Sequence, residues 1–131
     1  MTLDSREVVV TGPAAPDTVR VFRAVAGSLA MRAGATVEGI DEFRIAVDEA
    51  ATLLTHAGNP AALVMAVAPS PEGTIGVAIH TDGPLAGWPG DREGSWSWRV
   101  ISHLTSQAGM GTDEDGCPEI RFVMRPSGTS G

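Results

Sequence analysis

The order of patterns along the chain predicts an α+β fold. The expected form is a two-layer sandwich, with three helices on one face of a mostly antiparallel or mixed sheet of four or five strands. Three observations predict it. Strand-like and helix-like stretches follow one another as β, α, α, β, β, α, β, grouped rather than alternating, which argues against a doubly wound parallel sheet. The chain has 131 residues, 43% of them hydrophobic, enough for one core and too few for two. Glycine (16) and proline (9) supply several tight connections.

Glu7–Thr11 (EVVVT) reads as a strand because it is rich in β-branched residues. Gly12–Pro16 is a turn. Pro16-Asp17 opens a helix with Asp17 or Thr18 as its N-cap. Val21, Val25 and Leu29 recur at four-residue spacing beside Phe22 and Ala26, so they are expected to face the core, with Arg20, Arg23 and Arg32 outside. Gly34–Gly39 breaks this helix, and Asp41 begins a second that runs to about His56. Its apolar stripe is Phe43, Val47, Ala50 and Leu54, widened by Ile45 and Ala46. Gly58-Asn59-Pro60 stops it. Ala61–Ala68 and Thr74–His80 form a hairpin across Pro69–Gly73.

Residues 81–94 (TDGPLAGWPGDREG) make the longest irregular stretch. A third helix is expected over Ser95–Gln107, carrying Trp96, Val100 and Leu104. Gly109–Gly116 is a turn-rich join, and Glu119–Met124 closes the sheet. The domain spans 1–125, and 126–131 is a frayed tail.

Acidic residues number 16 against 9 basic ones, all arginine, for a net charge of -7. The arginines are spread along the sequence, so no surface suited to a phosphate backbone is expected, and the fitting partner is a protein with a basic face. Cys117 is the single cysteine, so no internal disulfide forms, as in a reducing compartment. No signal-peptide pattern and no apolar run long enough for a membrane helix occur, and the expected location is the cytoplasm.

Asp48 and Glu49 are adjacent on the second helix and point about 100° apart, so they are no ready-made carboxylate pair. Either both are solvated or Glu49 faces a pocket and polarises a water. His56, His80 and His103 are too far apart for a metal-ligand spacing, and no metal site is expected. Cys117 reads as a small buried hydrophobe. Trp88, Trp96 and Trp98 form either a loop-capping cluster or an anchor for a partner. Trp96 is expected in the core, while Trp88 either folds onto its own domain or stands at the surface as the anchor.

The segment Asp41–Ala57, DEFRIAVDEAATLLTHA, resembles the second helix of bacterial anti-sigma factors of the serine-kinase type, members of the GHKL ATPase superfamily. Ile45-Ala46-Val47-Asp48-Glu49-Ala50 and Thr52 carry the likeness. Ser95–Leu104 (SWSWRVISHL) resembles the family's next helix, and Glu119–Met124 its final strand. Together they cover most of residues 6–125. The tryptophan-bearing segment is most similar to that of divergent actinobacterial members.

Where the family places nucleotide-contacting groups, this chain departs. The Mg²⁺-holding asparagine position, four residues after Glu49, is Leu53, which offers no oxygen to a hard cation. The adenine-contacting turn falls on Thr81-Asp82-Gly83-Pro84-Leu85, with Thr81 at the aspartate position and Asp82 one residue later. Ser95 and Ser97 stand where glycines let backbone approach phosphate.

The resemblance implies a GHKL-like scaffold with a degraded ATP site, Glu49 being the remnant of catalysis. It implies an anti-sigma factor that sequesters a sigma factor by surface contact, is released by a STAS-type anti-anti-sigma protein, and works as a homodimer. ATP and Mg²⁺ are not expected as working cofactors. Two other roles remain open: an ATP-dependent serine kinase acting on the anti-anti-sigma protein, and a GHKL adaptor without a sigma partner. Asp17, Arg20 and Arg23 are candidates for a polar rim at the partner surface, and Trp88 for its anchor.

Overall fold

The computed structural model describes residues 7–125. It consists of β1 (Val8–Pro13), α1 (Pro16–Arg32), α2 (Val37–Thr55), β2 (Ala62–Pro69), β3 (Ile75–Thr81), a 3₁₀ turn (Gly90–Gly94), α3 (Trp96–Leu104), β4 (Gln107–Thr112) and β5 (Pro118–Met124). The five strands form one antiparallel sheet in the order β1-β2-β3-β5-β4, and the three helices cover one face. The expected α+β sandwich is therefore present. The proposed tail, 126–131, lies outside the described residues.

Alternation builds the sheet's inner face. Leu63, Met65 and Val67 on β2 are buried, as are Ile75, Val77 and Ile79 on β3 and Ile120, Phe122 and Met124 on β5. The register sets them side by side: Met65 lies opposite Ile79, which lies opposite Ile120. Helix α2 lies across this face, burying Phe43, Ala46, Val47, Ala50, Ala51 and Leu54, and both α1 and α3 pack on it. Phe43 meets Phe122 edge to face, with ring centroids 6.3 Å apart and planes at 76°.

Several boundaries differ from the sequence expectation. Helix α1 is capped by Ala15 without a side-chain hydrogen bond, and Pro16 takes the first turn, where its missing N–H costs nothing. Asp17 and Thr18 are not caps; Asp17 pairs with Arg20 at 2.7 Å. The core face of α1 is Thr18, Val19, Phe22, Ala26 and Ala30, while Val21 is exposed and Val25 half-buried. Two apolar stripes competed, and the buried one pairs Phe22 with small residues that let α1 approach α2. Gly27 belongs to it: a side chain there would meet Arg44 at 3.0 Å.

Helix α2 begins at Val37 rather than Asp41, because Thr36 caps it by accepting from the Gly39 N–H at 3.0 Å. Gly39 is thus inside the first turn and breaks nothing. Ile45 does not widen the apolar stripe; it faces solvent.

Helix α3 is shorter than expected, and the join expected over Gly109–Gly116 is in large part strand β4. Gly109 and Gly111 resemble turn residues in sequence, but the turn lies later. There the Asp113 carboxylate accepts from the N–H groups of Asp115 (2.9 Å) and Cys117 (3.0 Å), closing the β4–β5 hairpin.

The Cys117 N–H is the leading reason that the Asp113 carboxyl is held below its usual 3.8; partial desolvation opposes this, while the Asp115 N–H and nearby His80 assist. Burial, with the negative charges of Asp113 and Asp115, pushes the Cys117 thiol up. Because the Asp113 pKa is lower folded than unfolded, its contribution is complete above the ordinary carboxylate range and is lost as pH falls through the folded value. Asp113→Asn is therefore expected to flatten the loss of stability below about pH 4. Urea titrations along a pH series check this; an unchanged acid limb would count against the hairpin role of Asp113.

Of the two readings of Trp88, the structure takes the one that folds it onto its own domain, and Trp96 leaves its expected place. Trp88 is buried, and its indole N–H donates to the Gly111 carbonyl at 2.7 Å, while the Arg92 guanidinium lies 5.4 Å from its ring centroid. Trp96, expected in the core, is 69% exposed. Ser95 caps α3 through the Trp98 N–H and so fixes the helix rotation, which buries Ile101 and sends Trp96 outward.

Candidate functional site

Two regions carry the residues singled out in the sequence. The first lies between α1 and α2. Pro16, Val19, Arg20 and Arg23 on α1 face Asp48, Thr52, Thr55 and His56 at the end of α2, enclosing a groove of about 300 Å³. Helical spacing makes its walls: Pro16, Arg20 and Arg23 are four and three residues apart, as are Asp48, Thr52 and Thr55. The floor is largely apolar, from Pro16, Val19, the threonine methyls and the aliphatic arginine stems. Arg23 reaches Asp48 at 3.4 Å, and Arg20 holds Asp17 at 2.7 Å. A second hollow continues along the helices, lined by Arg23, Asp41, Arg44, Ile45 and Asp48.

The structure thus gathers Asp17, Arg20 and Arg23 on one surface. Sequence reasoning missed Thr52, Thr55 and His56 as groove residues, and took Asp48 as merely solvated. The signal was available: the polar stripe Asp48, Thr52, Thr55 runs beside the apolar stripe Phe43, Val47, Ala50, Leu54 at the same period. Trp88 does not join them. It sits beside β4, packed into the domain, and a buried side chain already hydrogen-bonded to Gly111 is not a surface anchor.

The second region holds the positions that the family resemblance assigns to nucleotide. Glu49 is half-buried on α2, and Leu53, one turn on, packs against the core. Thr81 is fully buried and its hydroxyl donates to the Gly83 carbonyl at 3.1 Å. Asp82 accepts from the N–H groups of Ala61 (2.9 Å) and Ala62 (3.1 Å), tying the end of β3 to the start of β2. The Ala62 N–H chiefly lowers the Asp82 pKa below its usual value. Leu85 packs against the core and closes on Gly58, where an added Cβ would meet it at 3.3 Å. Ser95 caps α3 through the Trp98 N–H at 3.2 Å, and Ser97 is half-buried in the first turn.

Chemically, these residues act on their own chain. The Asp82 carboxylate is used as a backbone clamp, and the α3 N-terminus, a place where N–H groups can hold phosphate, is engaged by the Ser95 hydroxyl. Leu53 and Leu85 add apolar packing. The two hollows between α1 and α2 are lined by other residues.

No protein-family model matches the chain, and no curated protein matches it. Solved structures do. The chain is similar to the crystal structure of the RsbU and RsbW domains of Rv1364c from Mycobacterium tuberculosis, with a TM-score of 0.70 and 18% identity over 91% of this chain and 32% of that one. It is also similar to the crystal structure of the SiaB-SiaC complex from Pseudomonas aeruginosa, with a TM-score of 0.63 and 15% identity over 91% of this chain and 90% of that one. The chain thus spans about a third of the first of these chains. At such identities the likeness is one of fold: this is the α+β sandwich that those two structures contain.

Proposed function

We propose that this chain is a protein-binding regulator of the anti-sigma type, which captures a sigma factor at the α1–α2 groove and is released by a STAS-type partner. The observation that carries the proposal is the groove itself: an apolar floor between two helices, flanked by arginines and carboxylates that are only loosely held. Exposed ion pairs such as Arg20–Asp17 contribute about 0–1 kcal/mol. A partner's carboxylate or carbonyl can therefore take the guanidinium at little cost, while the floor receives an apolar side chain. The fold shared with the RsbW-domain and SiaB-SiaC structures supports the same class of partner. The net charge of -7 suits a basic partner and would speed the encounter. The chain acts in this proposal as a cytoplasmic homodimer.

The test is a pair of variants. Arg20→Glu with Arg23→Glu is expected to weaken capture of the native sigma factor at least about tenfold, since charged hydrogen bonds are worth about 1.5–3 kcal/mol. Thermal stability should barely change, because both side chains are surface residues. Equal affinity in the double variant, measured by calorimetry, would remove the groove from the binding surface.

The half-buried Glu49 on α2 favours a second role, an ATP-dependent kinase acting on the STAS-type partner. In the proposed role ATP and Mg²⁺ are not needed, because Leu53 brings no oxygen to the metal and Asp82 is engaged by backbone. Titration with Mg-ATP is then expected to show no saturable binding below about 1 mM, and Glu49→Gln to leave sigma capture unchanged. A Mg²⁺-dependent micromolar affinity, or phosphate transfer lost in Glu49→Gln, would select the kinase instead.

A further inference from the structure

The helices cover one face of the sheet. Over the middle of the other face lies a shallow hollow of about 480 Å³, floored by Ala66, Ala68, Gly76 and Ala78. The register fixes what this outer face carries. Val9, Ala66, Ala78, Arg121 and Gly109 form one row across β1, β2, β3, β5 and β4. Ala68, Gly76, Val123 and Gln107 form the next row, from β2 to β4. The open side of an antiparallel sheet is ordinarily polar. Here the outward residues of β2 and β3 in both rows are small and uncharged, and Val9 is 58% exposed.

Side-chain heights are complementary about β3. β1 stands tall with Val9, and β4 is flat at Gly109. β5 stands tall with Arg121 and Val123, and β2 is flat at Ala66 and Ala68. β3 brings only Gly76 and Ala78 to these rows. A Cβ at Gly109 would meet nothing within 4 Å, so packing inside this chain does not demand glycine there.

We propose that this outer face packs on the same face of a second copy, about a two-fold axis that runs along β3. This rests on the dimer of the preceding section and assigns it a surface. Such an axis reverses the strand order and keeps the rows, so β1 faces β4 and β2 faces β5. Val9 of each copy then stands over Gly109 of the other, Arg121 over Ala66 and Val123 over Ala68. Ala78 meets Ala78 at the centre. Tall meets flat at each of these positions, as interdigitating sheets require. Charge allows the contact. Arg121 enters with its own counterion, because the buried Glu119 carboxylate holds it at 2.7 Å. Neither row carries a carboxylate over the residues named, so chains of charge -7 meet where their repulsion is weak. Helices α1 and α2 lie on the far side of each sheet, so both grooves stay open. Five strands about 4.8 Å apart, the shortest six residues long, make a face of roughly 500 Å². Two such faces bury about 1,000 Å², the lower limit for a specific interface, so a dissociation constant in the micromolar range is expected.

Sedimentation velocity between roughly 1 μM and 1 mM reads the association. Wild type is expected to dimerise with concentration. Ala78→Glu sets two carboxylates against each other on the axis and should weaken dimerisation at least about tenfold. Melting should barely change, because the side chain points away from its own core. Gly109→Val adds a β-branched residue where its own chain leaves space, so melting should hold or rise. It meets Val9 of the second copy, however, and dimerisation should fall in the same way. Should Ala78→Glu fail to fold, Gly109→Val decides alone. A dimer of wild-type strength in either folded variant overturns this surface and leaves the dimer standing. A chain monomeric throughout the range overturns both and gives the face to a partner of another kind.

Discussion

Replacing Trp88 by alanine is expected to destabilise the domain by about 3–5 kcal/mol, the usual cost of emptying a buried tryptophan site. The loss combines the apolar contacts of the ring with the indole hydrogen bond to Gly111, and it releases the 82–95 connection from β4. Trp96→Ala should change stability by about 0.5 kcal/mol or less, because the side chain is 69% exposed. Equilibrium urea unfolding of the two variants side by side makes the contrast measurable. Equal midpoints would mean that Trp88 is not packed as described. Trp88→Phe should recover much of the packing and none of the hydrogen bond, so it ought to fall between wild type and alanine.

The second large effect is expected at Phe43. Its ring is fully buried under α2 and meets Phe122 edge to face at 6.3 Å. Phe43→Ala should cost about 3–5 kcal/mol in all, with about 0.5–1.5 kcal/mol of it from the aromatic pair. Domains of this size are stable by about 5–15 kcal/mol, so the variant should lose a large share of its stability and melt well below wild type. Phe43→Leu keeps most of the volume and should recover much of the loss. A folded, wild-type-like melt for Phe43→Ala would place the core elsewhere.

Much of the architecture was readable in residue patterns. The stripe Phe43, Val47, Ala50, Leu54 has the period of a helix and a single apolar face, and α2 buries all four residues. The β2–β3 hairpin was equally plain, since Leu63, Met65 and Val67 alternate with smaller residues and Pro69–Gly73 can only turn. Helix α1 was harder because two apolar stripes overlap on it. Rotation was settled by which stripe has residues small enough for close approach to α2, a property of the pair of helices. Strand β4 was hidden because glycines at an edge look like glycines in a turn. Pairing with β5 organises them, and that pairing depends on the Asp113 turn beyond.

The candidate site was legible in part. Arg20 and Arg23 were picked out on α1, but their counterparts Asp48, Thr52 and Thr55 come from α2, and a groove exists only once two helices are set side by side. Trp88 and Trp96 show the opposite difficulty. The place of Trp96 turns on where α3 begins, which a single capping serine sets, and that of Trp88 on the arrival of β4, whose Gly111 carbonyl it meets.

The register of β1 has a consequence for the order of assembly. Val8 lies opposite Val67, with both long helices between them in the chain. The β2–β3 and β4–β5 hairpins join neighbours in sequence and close quickly, whereas β1 must wait for a loop containing α1 and α2 to bring its ends together. The β3–β5 pairing closes a loop of similar length, so β1–β2 and β3–β5 both follow the two hairpins. Until β1 pairs, β2 has an open flank. Refolding should then show hairpin amides protected ahead of those in Val8–Pro13.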